Sequence, residues 1–165
     1  RPEFALGISH DKILYISESR FQEISRKFGA PQNGDILITA VGSLGVPYLI
    51  EDDERFYFKD GNLLWLRDFS GEIDKRFLIY YFESFGFKKV IEVITAGSSQ
   101  KALTIEKLEK LRIPLPNSSE QKMITQILSE IDAKIEKEQD FKSELKQLKT
   151  GLMQVLLTGK DRVKV

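Results

Sequence analysis

The chain has 165 residues and a mass of 19.0 kDa, enough for one compact domain with an appendage but not for two full cores. Hydrophobic residues make up 41% and charged residues 30%, a balance that excludes a disordered or collagenous chain. Twenty-five basic residues offset 25 acidic ones and cysteine is absent, which removes any whole-molecule attraction to phosphate, any disulfide scaffold and any thiolate metal site.

No run approaches the ~20 apolar residues of a membrane span and no charged-then-apolar leader opens the sequence; the absence of cysteine is compatible with the cytoplasm, which is the expected setting. The text changes character near residue 117. Before it, short apolar clusters are punctuated by Gly, Asn, Asp and Pro; from Ser118 to Thr150 neither Gly nor Pro occurs. The expected fold class is α+β, a mixed globule over residues 1–116 followed by one long helix in 117–165.

In the globule, Gly34-Asp35 leads into Ile36–Val41, a β-rich apolar run of strand length. Gly42-Ser43-Leu44-Gly45 turns the chain into Val46–Ile50, where Pro47 requires a sheet edge or a strand start. Phe56-Tyr57-Phe58 and Leu63–Leu66 read as two further strands. Asp74 is placed to cap a helix through Phe77, Leu78, Tyr81 and Phe82, and Val90, Ile91, Val93 and Ile94 have the spacing of a second helix ending at Ala96-Gly97. Thr104 caps a single turn through Leu108, and Ile113-Pro114-Leu115-Pro116 leaves as an extended segment. Trp65, Phe58, Phe77, Tyr81 and Phe82 are expected to pack with Ile36, Ile38 and Leu64.

The long helix opens with Ser118 and Gln121 at the spacing of a capping box. Ile124, Ile127, Ile131, Phe141, Leu145, Leu148, Leu152 and Val155 follow in alternating steps of three and four, with Leu128, Ile135 and Leu156 beside them, while Lys134 and Glu138 take two core slots. At 1.5 Å per residue such a helix runs roughly 58 Å, farther than a small domain is wide. A partner helix is therefore expected on Ile124, Ile127, Leu128, Ile131, Ile135, Leu145, Leu148 and Leu152, from this protein, a second copy or another subunit. Gly159 marks the end.

Catalytic chemistry is absent. The single histidine, His10, cannot build a triad or a metal site alone, and Thr158-Gly159-Lys160 lacks the strand and the earlier glycine of a phosphate loop. Glu51-Asp52-Asp53-Glu54 has no EF-hand spacing and reads as a solvated turn. No catalytic residue, metal ligand or cofactor site is expected. Gly97-Ser98-Ser99-Gln100-Lys101 is different, because hydroxyls, a carboxamide and an ammonium are the groups that meet phosphates and base edges. The window from Lys88 to Arg112 holds Lys88, Lys89, Lys101, Lys107, Lys110 and Arg112 against Glu92, Glu106 and Glu109. It is locally positive in a neutral chain, although a plain polar surface loop has the same composition.

Taken in order, Gly34–Ile38, Gly42–Gly45, Gly97–Lys101, Ile113–Pro116, Glu120-Gln121-Lys122-Met123-Ile124, Leu128 and Ile131-Asp132-Ala133-Lys134-Ile135 resemble the specificity subunits of type I restriction-modification systems. Gly151-Leu152-Met153-Gln154 and Leu156–Lys160 match the way a repeat of these subunits ends. The resemblance implies a target recognition domain in 1–116 that reads one half of a split double-stranded DNA site. It also implies a spacer helix in 117–165 that pairs with a second such helix, in the same subunit or a second copy, and docks the modification subunits. These would hold S-adenosylmethionine and methylate adenine, with restriction subunits joining through the complex. The specificity chain itself would be non-catalytic, in keeping with the missing Asn-Pro-Pro-Tyr of adenine methyltransferases.

Whole members usually carry two recognition domains, each opened by a strand-rich stretch ahead of the segment that begins here near Lys12. The chain is therefore expected to be a fragment truncated at its N-terminus or a half-size subunit that dimerises. DNA contacts are expected at Ser43, Asn62, Lys88, Lys89, Ser98, Ser99, Gln100 and Lys101. The competing reading is a coiled-coil assembly protein whose globule binds protein.

Overall fold

The computed structural model describes residues 16–52, 55–58, 61–97 and 101–163. The chain divides into two compact units, Arg1–Met123 and Ile124–Val165. Among the described residues of the first lie α1 (Glu18–Phe28), β1 (Ile36–Thr39), β2 (Pro47–Leu49), β3 (Leu63–Leu66), α2 (Lys75–Glu83), α3 (Phe85–Thr95) and α4 (Ile105–Glu109); α5 (Ser118–Leu156) begins there and makes up most of the second.

The three strands form an antiparallel sheet in the order β2-β1-β3, with Ile36, Leu37 and Ile38 opposite Leu49, Tyr48 and Pro47 on one side and Leu66, Trp65 and Leu64 on the other. Pro47 thus sits both at a strand start and on an edge, where its missing N–H costs no ladder bond. The pleat sends Ile36, Ile38, Leu64 and Leu66 to one face and Leu37 and Trp65 to the other. On the first face Ile36 and Ile38 meet Leu78 and Phe82 of α2, Phe87 and Ile91 of α3, and Leu103. Phe82 and Phe87 pack with their rings tilted and centroids 4.8 Å apart, and Tyr81 leans on both.

Trp65, Phe58 and Phe77 lie outside that cluster, although Phe58 and Phe77 are buried, which corrects the expectation of one aromatic core. Phe58 packs edge-on against Trp65 at 5.6 Å and against Phe21 of α1 at 6.4 Å, and the Trp65 indole N–H donates to Asp35 Oδ2 at 2.9 Å. A second, smaller aromatic cluster therefore covers the other face. Phe56-Tyr57-Phe58 forms no strand; Phe58 is buried by side-chain packing rather than held in a ladder.

Local signals explain the helix ends. Asp74 caps α2 by accepting from Phe77 N, and Thr104 caps α4 by accepting from Lys107 N. Ser84 serves two helices: its N–H donates to Tyr81 O at the end of α2 and its hydroxyl accepts from Phe87 N at the start of α3. Helix α1, which no sequence expectation covered, carries Ser17 as N-cap, Glu18 in its first turn, Arg26 and Lys27 in its last and Gly29 at φ 81 beyond it.

The cap of α5 differs from the expected one. Asn117 rather than Ser118 fills the role, its Oδ1 accepting from Glu120 N at 3.0 Å. With that amide satisfied one residue earlier, Gln121 turns inward instead of back to the cap. At the far end Gly159, at φ 73, donates its N–H to Leu156 O.

Candidate nucleic-acid interface

Three of the sequence-predicted segments meet where β1 ends. Ala40 N donates to Asn62 O at 2.7 Å, Leu103 N donates to Ala40 O at 2.9 Å, and Val41 pairs with Ala102 in an isolated antiparallel bridge. The Gly42–Gly45 turn, Asn62 and Lys101 are thereby brought to one end of the sheet, and Ser43, Asn62 and Lys101 are exposed there. Ser98, Ser99 and Gln100 lie outside the described residues, as do His10, Asp53 and Glu54.

The turn is built by Thr39, a residue the sequence reading overlooked. Its N–H donates to Val46 O at 3.0 Å and its carbonyl accepts from Gly45 N at 2.8 Å. Its buried hydroxyl accepts from Val46 N and donates to Ser43 O. Gly42 and Gly45 both adopt left-handed backbone, φ 77 and 76. Gly45 has a second constraint, because a Cβ there would stand 3.2 Å from Ile91 Cγ1 and 3.3 Å from Phe87 Cε1. A Cβ on Gly42 would meet nothing within 4 Å, so that backbone faces open space.

The positive window is thinner than its composition suggests. Lys107 Nζ donates to Ala102 O at 3.1 Å, and Lys110 Nζ pairs with Glu106 at 2.7 Å. The hydrogen bond and charge of Lys110 hold the Glu106 carboxyl below the usual glutamate range. Lys101 and Arg112 remain as exposed cations of the segment that follows α3. No group of three or more His, Cys, Asp or Glu able to hold a metal occurs among the described residues, and Glu51 pairs instead with Arg76.

A glycine turn with open backbone, a hydroxyl, a carboxamide and an ammonium thus share one end of the sheet, and all of them are groups able to hydrogen-bond with phosphates and base edges. Comparison with known proteins decides the family. Residues 9–147 match the type I restriction modification DNA specificity domain. The chain belongs to that family. It is 34% identical over 121 residues to the type I restriction enzyme MjaVIII specificity subunit of Methanocaldococcus jannaschii, which covers 73% of this chain and 28% of that protein. Over 118 residues it is 32% identical to a protein of Haemophilus influenzae named as a type I restriction enzyme specificity subunit, covering 72% of this chain and 29% of the relative. The chain spans less than a third of the length of these curated relatives.

Within this specificity domain Lys88 and Lys89 lie on α3, the helix that packs beneath the turn. Both are exposed on α3, but Phe87 and Ile91 form the face that touches Gly45. Lys89 points about 160° away from Ile91 around the helix, and its ammonium lies 4.6 Å from the Phe85 ring centroid. In the second unit, Ile127, Leu128, Ile131, Ile135, Leu145, Leu148 and Leu152 are exposed in the single chain, Leu148 to 58%, while Ile124 is half-buried.

Proposed function

We propose that this chain reads one half of a split target in double-stranded DNA and carries the helix that spaces and docks it within a type I restriction-modification complex. The carrying observation is the family match, which runs from residue 9 to residue 147 and so takes in both the sheet-end surface and most of α5. In this reading residues 1–116 are the target recognition domain and 117–165 the spacer. DNA is met by Ser43, Asn62 and Lys101, together with Ser98, Ser99 and Gln100 just before Lys101 in the sequence and with Lys88 and Lys89 of α3.

The chain performs no chemistry of its own. S-adenosylmethionine is held by the modification subunits, which dock on α5, and restriction subunits join through them. The exposed stripe of α5 pairs with a second such helix, in a longer subunit or a second copy. Access to chromosomal DNA sets the action in the cytoplasm, and among the described residues no helix is long and apolar enough to cross a membrane.

The test is duplex binding by the chain assembled with its modification subunits, titrated across salt concentrations. Phosphate contacts release counterions, so affinity must fall linearly on a log-log plot, with a slope of about 0.9 per contacted phosphate. An assembly that bound every duplex equally, or whose affinity ignored salt, would overturn this reading in favour of a protein-binding globule.

A further inference from the structure

Arg67 follows β3 directly and shares with Trp65 the sheet face opposite the Leu78 and Phe82 core. Its guanidinium lies over the indole, 4.7 Å from the ring centroid. The indole is itself fixed, because Asp35 Oδ2 takes its N–H at 2.9 Å and the Phe58 ring meets it edge-on at 5.6 Å. Gly29, at φ 81, closes in from the end of α1, and a Cβ there would stand 3.4 Å from Arg67 Nη1 and 3.5 Å from Trp65 Cη2. One face of the guanidinium is thus covered while the side chain stays 52% exposed. Asp68 Oδ2 lies 3.5 Å from Arg67 Nε, in an ion pair too open to water to hold the group strongly. Two more cations, Arg26 and Lys27, sit in the last turn of α1 just before Gly29. A leucine or methionine would cover the indole as well. What arginine adds is a planar fork of donors at a set angle, the shape that grips a phosphate through two hydrogen bonds.

We infer that Arg67 is a phosphate anchor for the DNA duplex, at the end of β3 opposite to Asn62 and Lys101. The inference rests on the reading of that sheet end as a DNA face, and it extends the face along the strand. From Asn62 to Arg67 the chain advances five residues, about 16 Å when extended. The major groove is about 12 Å wide. A duplex laid across β3 therefore brings one wall of the groove to the Asn62 end and the other within reach of the Arg67 side chain. Because the stack on Trp65 has already ordered the guanidinium, contact costs less entropy than it would for a free lysine. Arg26 and Lys27 add a local positive field in a chain of zero net charge.

The test uses the chain with its modification subunits and measures affinity across salt concentrations for a duplex the parent prefers and for unrelated duplexes. Arg67→Gln, which leaves a side chain over the indole but removes the charge, is expected to bind every duplex about tenfold more weakly and to lower the log-log salt slope by about 0.9, with sequence preference unchanged. Asp68→Asn removes the neighbouring carboxylate and suits the left-handed backbone at φ 58, so it is expected to tighten binding to every duplex and decides the question alone if the Gln variant does not fold. Arg76→Gln makes the same change in net charge on α2, where the partner is Glu51, and is expected to keep the parent's slope. A parent-like slope in folded Arg67→Gln, unchanged affinity in Asp68→Asn, an equal fall in Arg76→Gln, or an altered preference at one base pair with the slope intact overturns the inference. A parent assembly whose affinity ignores salt, or that binds every duplex equally, overturns the reading beneath it instead.

Discussion

Trp65 gives its indole N–H to Asp35 at 2.9 Å, and Asp35 also accepts from Gln32 N at 2.9 Å, so one carboxylate ties the turn before β1 to the middle of β3. Asp35→Ala leaves the indole donor on a half-buried surface without its partner. The expected cost is about 1–2 kcal/mol of unfolding free energy. Trp65 is the sole tryptophan, so its own fluorescence during a urea titration reports the change.

Gly45 and Gly42 separate two effects that are usually confounded. Both sit at positive φ, but only Gly45 has Ile91 and Phe87 against the place of its Cβ. Gly42→Ala is expected to cost about 1 kcal/mol from backbone strain alone, and Gly45→Ala about 2–4 kcal/mol because overpacking adds to it. Equal melting shifts for the two would contradict this packing.

Lys101 and Gln100 are predicted to act differently on DNA. Lys101→Ala should weaken all duplexes alike and lower the salt slope by about 1, as a phosphate contact does. Gln100→Ala should cost about 1–3 kcal/mol of discrimination at one base position if it reads a base edge. Variants that bind and discriminate like the parent in the assembled complex would move the DNA face away from this end of the sheet.

The α5 stripe predicts association. Leu145→Asp places a carboxylate in the seam, and the double variant with Leu148→Asp is expected to shift sedimentation from a paired to an unpaired species or to release the partner helix. Lys134 and Glu138 then serve as register marks. A parent chain that sediments as a strict monomer with this stripe open to solvent would refute the pairing.

Acid should loosen α4. Because Lys110 lowers the Glu106 pKa in the folded state, the pair contributes stability above the unfolded glutamate value, and loses it as pH falls through the lowered one. The Glu106 carboxyl resonance, followed by NMR, should titrate below that of an ordinary glutamate and return to it in Lys110→Met.

What the sequence revealed divides by range. Asp74, Thr104 and Gly97 act within a turn of their own positions, and Pro47 marks its edge by what it lacks, so each was legible. Gln121 was not: its spacing from Ser118 mimics a cap, and only the approach of Glu72 and Asp74 shows its inward turn. The Phe56–Phe58 run has strand composition, yet Phe58 is held by side-chain packing on Trp65 and on Phe21, the latter far off in sequence. The same limit applies to the candidate site. Gly42–Gly45, Asn62 and Lys101 were each suspected on composition, but their meeting depends on the Val41–Ala102 bridge and on Ala40, which no local pattern announces.

Pro47 has a consequence for crowded surroundings. It lies on β2, an edge of the sheet, and since Ile50 N points to Asp35 O of the neighbouring chain segment, alternation turns the Pro47 nitrogen outward. An edge that presents a full row of outward amides templates further strands. Here one of those donors is missing, within a β2 only three residues long. An edge this short and lacking that donor is a poor template for a further strand.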